Sequence, residues 1–303
     1  MRVALVTSAG FPEPLWKDSD SPLVAARLQA LGAETAQPAW DGPAHDWTAY
    51  DVLVLQSPWS MWPKLSQFQT WLHARVLEGA LVLNPPSVVE LGSDKTYLLR
   101  LAALGVPTVP TFLSSGAPDL DALRSLFPPP GSPRRTVVAK PLSSGGALGA
   151  VEFGLDDLSG LAAHLSGVGT ALVQPYQSAI DVHRELAVLT LDGAVSHAIT
   201  KAAILRPGTS ERLFHPDPRA YGPLSDEQRT VVAETYAALL SLLPADSAPP
   251  LSVRLDFILD PDAPRGMSLL EIEAVAPVKF FASFPDECDR YARAILARVG
   301  IAR

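Results

Sequence analysis

The chain has 303 residues, of which 48% are hydrophobic and 18% are charged, a composition that predicts a compact protein with a large core. Its net charge of −8 argues against nonspecific binding to nucleic acid or to an anionic membrane, and leaves a small molecule as the expected partner. Cys288 is the only cysteine, which excludes an internal disulfide and favours a cytoplasmic location. No apolar run has the length expected of a signal sequence or of a transmembrane helix.

Residues 1–92 alternate short apolar runs with amphipathic segments. Strands are predicted at 3–6, 51–55 and 80–84, and helices at 22–31 and 63–77. Alternating strands and helices are typical of a parallel sheet that is covered on both faces, so this region is predicted to be a Rossmann-like domain. The first strand is not followed by a G-x-G-x-x-G turn, and dinucleotide binding is therefore not predicted.

Residues 93–173 have a different character. Helices are predicted at 93–104 and 119–127, and strands at 136–141 and 151–153. Between the two strands lies a glycine-rich turn, whose backbone N–H groups can close over phosphates. This region is predicted to form a separate subdomain.

Residues 174–303 are predicted to form a second α+β subdomain. A hairpin turns at 192–193, and helices follow at 225–243 and 285–299. The stretch 204–221 has little periodicity and is predicted to be a loop near the active site.

The most informative part of this last region is an acidic hairpin. In an extended chain Arg254 and Asp256 point to one face, and Glu271 and Glu273 repeat that spacing on the next strand. Three carboxylates on adjacent strands repel unless a cation neutralises them, and oxygen ligands suit Mg²⁺ or Mn²⁺. The alternative is a solvated strand face that carries ordinary charges.

The sequence contains no P-loop, no H-E-x-x-H and no G-x-S-x-G, so these nucleotide, zinc-protease and serine-hydrolase motifs are absent. It does contain an ordered series of polar residues spread over the two later regions, namely Lys95, Lys140, Gln174-Pro175-Tyr176, Glu185, Lys201, Arg254, Asp256, Glu271 and Glu273. This order resembles the ATP-grasp superfamily, which includes D-alanine:D-alanine ligase, glutathione synthetase and the ribosomal-protein glutamate ligases. The resemblance covers nearly the whole chain and implies a Rossmann-like N-terminal domain followed by two ATP-grasp subdomains, a mixed α/β and α+β fold.

The resemblance also implies how ATP is bound. Lys95 and Lys140 would contact the phosphates, and Glu185 would bind the ribose. The implied phosphate-covering loop and the hinge that reads adenine comprise Ser143, Ser144, Gly145, Gly146, Gln174, Pro175 and Tyr176.

The metal and catalytic roles fall on the hairpins. The resemblance implies that Asp256, Glu271 and Glu273 bind magnesium, while Arg254 faces the phosphates. Arg254 and Lys201 are the candidate catalytic residues.

A shared site for Glu185 and Lys201 carries a geometric condition. If the turn at 192–193 has two residues, Leu191 pairs with Ala194, and Lys201 then lies on the face opposite Glu185. The two side chains can meet only if the turn is longer or if one strand contains a β-bulge.

Within the superfamily the chain resembles the short ligases of the cycloserine pathway, which close an amino-acid derivative into a ring. The shared features are Ser57-Pro58-Trp59, Gly193-x-x-Ser196-His197 and Glu271-x-Glu273. Position 273 is Glu and position 94 is Asp, where Asn is common in ATP-grasp enzymes. The extra charge at 273 affects metal use without removing a ligand.

Several aromatic residues have two interpretations. Trp59 and Trp62 follow a buried strand, in a region where open α/β sheets bind ligands, although packing is the simpler interpretation. Phe280 and Phe281 either line a substrate pocket or belong to the core.

The predicted function is an ATP- and Mg-dependent ligase that joins a carboxylate to an amine through an acyl phosphate, on an amino-acid-like small molecule. Three alternatives stay open: intramolecular ring closure by the same chemistry, a non-catalytic ATP-binding regulatory module, and modification of a protein terminus. The resemblance is also compatible with a homo-oligomer.

Overall fold

The computed structural model describes residues 1–11, 16–115, 119–205 and 217–302. The predicted loop at 204–221 therefore lies largely outside the described residues. In the described part of the chain, no helix combines the length and the apolar character needed to cross a bilayer.

The N-terminal region is a parallel sheet with helices packed on it. Its elements are β1 (Arg2–Val6), α1 (Ser21–Ala30), β2 (Glu34–Ala36), β3 (Val52–Leu55), α2 (Leu65–Leu77) and β4 (Val82–Leu83), with strand order β2-β1-β3-β4. The apolar runs of β1 and β3 are buried along nearly their whole length, as expected of strands that are covered on both faces. The predicted Rossmann-like sheet is confirmed.

A break between two helices corrects the predicted helix at 93–104. The structure has α3 (Pro86–Ser93) and α4 (Tyr97–Ala103), separated by Asp94 in an extended conformation. The Asp94 carboxylate accepts a hydrogen bond from the Thr96 backbone N–H at 2.9 Å, which stabilises the turn that leads into the second helix. Because of this break, the Lys95 N–H bonds to the Leu142 carbonyl, next to the glycine-rich turn.

The second sheet is antiparallel and has two helices on one face. Its elements are β5 (Phe112–Ser115), α5 (Leu120–Ser125), β6 (Thr136–Pro141), β7 (Val151–Gly154), α6 (Leu158–Val168) and β8 (Thr170–Pro175), with order β5-β8-β6-β7. Leu123, Leu161 and Leu165 of the helices pack against Val137 and Val173 of the strands. The predicted subdomain boundary at 173/174 falls inside β8, two residues before this strand ends.

The third sheet, also antiparallel, completes the described fold. Its elements are α7 (Ala179–His183), β9 (Glu185–Leu191), β10 (Ala194–Lys201), β11 (Arg219–Ala220), α8 (Asp226–Ser241), β12 (Ser252–Leu259), β13 (Met267–Glu273) and α9 (Pro285–Ala302), with strand order β11-β10-β9-β12-β13. Along β12, Val253, Leu255 and Phe257 point into a core shared with α4 and α8. Alternation therefore turns Arg254 and Asp256 to the opposite face, toward the second sheet.

The last helix packs on the first domain. Tyr291 and Ile295 of α9 share a core with Val24 and Leu28 of α1 and with strands of the parallel sheet. The C-terminal helix was predicted as part of the second ATP-grasp subdomain. In the structure it contributes to the core of the N-terminal domain, where it packs against α1.

Candidate active site

A cleft with about 890 Å³ of empty space, here called the central cavity, lies between the second and third sheets. One end is apolar and is lined by Val109, Val138, Ala150, Ile180, Ala203 and Ile258. The other end carries the charged side chains of Lys95, Lys140, Glu185, Lys201, Arg254, Glu271 and Glu273. The cavity therefore suits a molecule with a flat apolar part and a strongly charged part.

A β-bulge brings Glu185 and Lys201 together. Leu191 pairs with Ala194, but the register shifts between Val195 and His197, so that Lys201 pairs directly with Glu185. The Lys201 Nζ lies 2.6 Å from the Glu185 carboxylate. The geometric condition stated from the sequence is met, because the bulge adds one residue to β10.

Asp256 is the centre of a buried charge cluster. Its side chain has no exposed surface, and it accepts hydrogen bonds from the Arg254 Nε at 2.8 Å and from the Lys201 Nζ at 3.1 Å. Burial alone would raise the pKa of Asp256, but Arg254 and Lys201 hold it well below its usual range. Burial raises the pKa of Glu185 to about 7, although Lys201 opposes this change.

Glu271 and Glu273 face the cavity instead of this cluster. In the hairpin Arg254 pairs with Glu273 and Asp256 with Glu271, and the two glutamates keep 21% and 18% of their side-chain surface exposed. Glu271 lies 3.5 Å from the Lys95 Nζ, and Glu273 lies 3.5 Å from the Arg254 guanidinium. These carboxylates have ordinary ion-pair partners and remain open to a ligand in the cavity.

The three predicted metal ligands do not form one cluster. Among the described residues, no group of three or more His, Cys, Asp or Glu is placed to hold a metal ion. Both oxygens of Asp256 are engaged by Arg254 and Lys201, so only Glu271 and Glu273 are open to the cavity. Two carboxylates still fit magnesium, which is commonly held by one or two carboxylates together with phosphate oxygens and water. Direct binding by Asp256 stays a prediction, and it would require Asp256 to exchange a present partner for the ion.

The glycine-rich turn lies above the two lysines. The Lys95 Nζ donates a hydrogen bond to the Ser144 carbonyl at 2.5 Å, which ties the turn to the start of α4. Burial lowers the pKa of Lys140, and Glu271 opposes that shift. A Cβ on Gly145 would lie 2.5 Å from the Trp62 Nε1, so the turn needs glycine there to pass beneath the indole.

The predicted hinge forms the wall at the apolar end. Gln174 is buried, and its amide nitrogen donates to the Thr111 hydroxyl at 2.9 Å. The Tyr176 N–H bonds to the Thr136 carbonyl, and the Arg134 guanidinium lies 3.7 Å from the Tyr176 ring centroid. These contacts fix the position of the segment against which the apolar part of a ligand would lie.

A smaller cleft of about 260 Å³ adjoins the charged end. It is named here the aromatic cavity, and it is lined by Trp16, Trp59, Trp62, Gly145, Gly146, Arg254, Glu273, Ala276 and Val278. From the sequence, Trp59 and Trp62 have two interpretations, packing and ligand contact, and Trp16 has no signal because it lies in a stretch without periodicity. Phe281 is 2% exposed and belongs to the core around α9.

Comparison with known proteins identifies similar chains. A family model for the N-terminal domain of D-cycloserine synthetase DcsG matches residues 3–84. The cycloserine biosynthesis protein DcsG of Streptomyces lavendulae is 29% identical over 303 residues, covering 98% of each chain. A crystal structure of D-cycloserine synthetase DcsG superposes with a TM-score of 0.85 at 27% identity, covering 99% of this chain and 100% of that chain.

More distant structures share the fold. ATP-grasp ligase PsnB, solved with a phosphomimetic variant of its minimal precursor, Mg and ADP, has a TM-score of 0.64 at 15% identity, with 98% of both chains covered. D-alanine–D-alanine ligase from Bacillus anthracis, solved with ATP, has a TM-score of 0.65 at 14% identity, covering 97% of this chain and 94% of that chain. This chain has the ATP-grasp fold.

The predicted fold class is confirmed. The structure places the predicted phosphate-site lysines, loop, hinge and hairpin residues around one cavity, with Asp256 enclosed behind it. Their individual roles stay predictions. The wall that the sequence did not reveal is the aromatic one, since it is assembled from loops distant in sequence.

Proposed function

We propose that this protein is a ligase that uses Mg-ATP to activate a carboxylate as an acyl phosphate and joins it to an amine, on an amino-acid-like small molecule. The observation that carries the proposal is the convergence of Lys95, Lys140, Glu271 and Glu273 on one end of the central cavity. Two cations and two carboxylates in a confined space fit a triphosphate and its magnesium ion better than any uncharged ligand.

The nucleotide orientation follows from the two ends of the cavity. The adenine would lie at the apolar end beside Gln174 to Tyr176, and the phosphates would lie beneath the glycine-rich turn, beside Lys95 and Lys140. Glu271 and Glu273 would hold magnesium, which neutralises the phosphate charge when it is bound. Proteins of the same fold have been solved with ATP, and with Mg and ADP, which supports binding of a magnesium nucleotide by this fold.

The reaction proceeds in two balanced steps. An oxygen of the substrate carboxylate bonds to the γ-phosphorus while the bond from that phosphorus to ADP breaks. The amine nitrogen then bonds to the carbonyl carbon, the bond from that carbon to phosphate breaks, and the amine proton passes to phosphate or solvent. Arg254 is fixed by Asp256 at the border of both cavities, where it would stabilise negative charge on the transferring group. Lys201 would act beside it.

Ring closure is the second candidate function. It uses the same acyl phosphate, which an amine of the same molecule captures. Its support is the likeness to D-cycloserine synthetase DcsG over nearly the full length of both chains.

The test is ADP release from ATP and Mg²⁺ with a library of amino acids and amino-acid derivatives, followed by product mass. Intermolecular ligation joins two substrates, whereas cyclisation leaves one substrate lighter by one water. Lys140→Met serves as the matched control, because it removes the cavity lysine while keeping an unbranched side chain. Substrate-dependent ADP release that disappears in this variant supports the proposal. An absence of substrate-dependent ADP release across the whole library refutes it.

A further inference from the structure

We propose that His197 is a positioning residue, which fixes the place of the β-bulge in β10 and so turns the Lys201 side chain toward the buried charge cluster. The inference rests on the ligase function proposed above, in which Lys201 acts beside Arg254. Neither Ser196 nor His197 lines the central cavity or the aromatic cavity. An effect of His197 on the reaction would therefore pass through other residues.

The bulge is needed because the two strands of the hairpin differ in length. Between the turn and the pair of Glu185 with Lys201, β9 has seven residues and β10 has eight. The extra residue can be accommodated at any point along β10, and each residue that the bulge passes turns to the other face of the sheet. A bulge beyond Lys201 would turn this side chain away from Glu185.

His197 is held by partners outside its own strand. Its Nε2 lies 2.7 Å from the Lys279 carbonyl, and because a carbonyl can only accept, this nitrogen is the donor. The ring stacks on Phe284, with centroids 4.2 Å apart and planes at 27°. His197 is only 8% exposed, so these contacts replace most of its contact with water.

The extra residue of the bulge is held as well. Ser196 donates a hydrogen bond to the Glu287 carboxylate of α9, and its hydroxyl lies 2.9 Å from the His197 Nδ1. Arg290 binds the same carboxylate at 2.7 Å. The bulge is therefore fixed from two sides, by α9 and by the segment that follows β13.

These contacts determine which way Lys201 faces. The other face of β10 belongs to the apolar core that contains Val188 and Ala198, where a buried imidazole would lose its hydrogen bonds. The bulge is thus kept before His197. No further register shift occurs between His197 and Lys201, and residues four apart on a strand face the same side.

The same histidine lies next to a support of Arg254. The Arg254 guanidinium donates to the Val278 carbonyl at 3.2 Å, and the next carbonyl along the chain, that of Lys279, is the acceptor for His197. His197 and Arg254 also pair with the same residue of β9, Leu189, from opposite sides. Loss of the His197 hydrogen bond would therefore affect the positions of both candidate catalytic residues.

The first test measures ADP release by His197→Phe and His197→Gln, with kcat referred to the number of ATP sites counted by calorimetry. Phenylalanine keeps the stacked ring but removes both nitrogens, so kcat is expected to fall about tenfold to 100-fold while KM for ATP changes by less than about threefold. Glutamine keeps an N–H donor and is expected to recover most of kcat. His164→Phe, which changes another histidine beside a phenylalanine ring, is the matched control and is expected to keep kcat unchanged.

The second test locates the bulge without using activity. Val188 pairs with Ala198 beyond the bulge, so Val188→Cys with Ala198→Cys places two thiols opposite each other. After equilibration with reduced and oxidised glutathione, the ratio of disulfide to dithiol measures how closely the thiols are held. Adding His197→Phe is expected to lower this ratio at least fivefold.

Deletion of Ser196 is the rescue that separates positioning from a general loss of stability. Without Ser196 the two strands have equal lengths, and Lys201 pairs with Glu185 without a bulge. In this background His197→Phe is expected to change kcat and the disulfide ratio by no more than about twofold.

Four results would overturn the inference: His197→Phe keeps kcat within about twofold of wild type, His197→Gln falls as far as His197→Phe, the disulfide ratio does not change, or the deletion of Ser196 leaves the effect of His197→Phe intact. Failure of the ligase proposal is distinguishable from these results. Expected disulfide ratios without substrate-dependent ADP release by the wild type would refute the ligase function alone. Substrate-dependent ADP release that His197→Phe leaves unchanged would refute the positioning role alone.

Discussion

The central cavity and the aromatic cavity share Arg254 and Glu273 but are built differently. The charged end of the central cavity is formed largely by side chains on sheet strands, such as Lys140, Glu185 and Glu271, whose spacing is fixed by the strand period. The aromatic cavity is formed by tryptophans near the N-terminal sheet, a glycine-rich turn, and the segment after β13. Under the proposed function, the activation chemistry would lie on rigid strands and the choice of substrate on loops.

The first prediction tests whether Asp256 binds a metal ion in the cavity or holds Arg254 and Lys201 in place behind it. Asp256→Asn keeps the shape of the side chain but removes the buried carboxylate that Arg254 and Lys201 share, and it leaves Glu273 beside Arg254 and Glu185 beside Lys201. Breaking a buried ion cluster in this way is expected to lower the free energy of unfolding by about 3–5 kcal/mol and to abolish activity. Urea denaturation measures the first effect and ADP release the second.

The control for Asp256→Asn is Glu271→Gln, which changes a cavity-facing carboxylate. Glu271→Gln is expected to weaken magnesium binding, so that activity requires a higher magnesium concentration. Its free energy of unfolding is expected to fall much less than that of Asp256→Asn. If Asp256→Asn keeps wild-type stability and only raises the magnesium concentration required, Asp256 is a metal ligand and the anchoring interpretation is wrong.

The second prediction tests whether nucleotide binding is confined to the central cavity. Lys140→Met removes a cation from beside Glu271, and a charged hydrogen bond is worth about 1.5–3 kcal/mol, so kcat/KM for ATP is expected to fall roughly tenfold to 150-fold. Calorimetric affinity for the amino acid in the absence of ATP is expected to stay within about twofold. An equal loss of affinity for both ligands would show that the cavities act as one site.

Strand chemistry was predictable because it is local, as the hairpin shows. Alternation placed Arg254 and Asp256 on one face of their strand, and in the structure they pair with Glu273 and Glu271 of the next strand. The face of the sheet on which the Lys201 side chain lies was not predictable, since it depends on a β-bulge at Ser196 that the sequence does not mark. Nor could alternation show that Asp256 would be enclosed.

The N-terminal region gives the same lesson at the level of the fold. Continuous apolar runs identified β1 and β3 correctly, because strands that are buried on both faces must be apolar. The helix Pro86–Ser93 and the break at Asp94 that follows it were missed, since a single helix was predicted to begin at Ser93. Trp16 was missed as well, since its contacts with Trp59 and with the glycine-rich turn come only from tertiary structure.

The third prediction concerns a buried lysine behind the aromatic cavity. The Lys279 Nζ is enclosed between the Gln56 side chain and the Pro277 carbonyl, and burial lowers the pKa of Lys279 to about 8. In the unfolded chain a lysine has a pKa of about 10.4. Between about pH 8 and pH 10.4 the unfolded state therefore binds more protons at this residue than the folded state does, so the free energy of unfolding rises with pH over this range. Below about pH 8 the folded protein carries the full cost of the buried ammonium.

Lys279→Met removes that dependence. The quantity to follow is the free energy of unfolding of the variant minus that of the wild type. This difference is expected to fall by about 2–3 kcal/mol between pH 7 and pH 10.5, because the wild type gains stability over that range and the variant does not. Urea denaturation at a series of pH values measures it, with Lys17→Met as the control for loss of an exposed lysine. A difference that stays constant with pH, or grows as pH rises, would contradict the assignment of a buried ammonium.

The fourth prediction, which has the smallest expected effect, concerns Gly145 in the turn between the two cavities. In Gly145→Ala the new methyl group would lie 2.5 Å from the Trp62 Nε1, so the indole must shift by a few tenths of an ångström or more. Overpacking of this kind costs about 1 kcal/mol, and KM for the amino acid is expected to rise roughly fivefold, with a smaller rise for ATP. Gly167→Ala, where a methyl group meets open space, is the matched control and is expected to leave both values unchanged.

The double variant Gly145→Ala with Trp62→Phe tests whether the rise in KM is caused by contact between the new methyl group and the Trp62 indole. A smaller ring relieves the contact, so the double variant is expected to have a lower KM for the amino acid than Gly145→Ala alone, and this non-additivity measures the coupling. If the two changes simply add, or if KM for ATP rises more than KM for the amino acid, then Gly145 acts on the phosphates and not on the wall of the aromatic cavity. Because Gly145 belongs to the turn that is proposed to cover the phosphates and also lines the aromatic cavity, recovery in the double variant would mean that this turn sets the shape of both cavities.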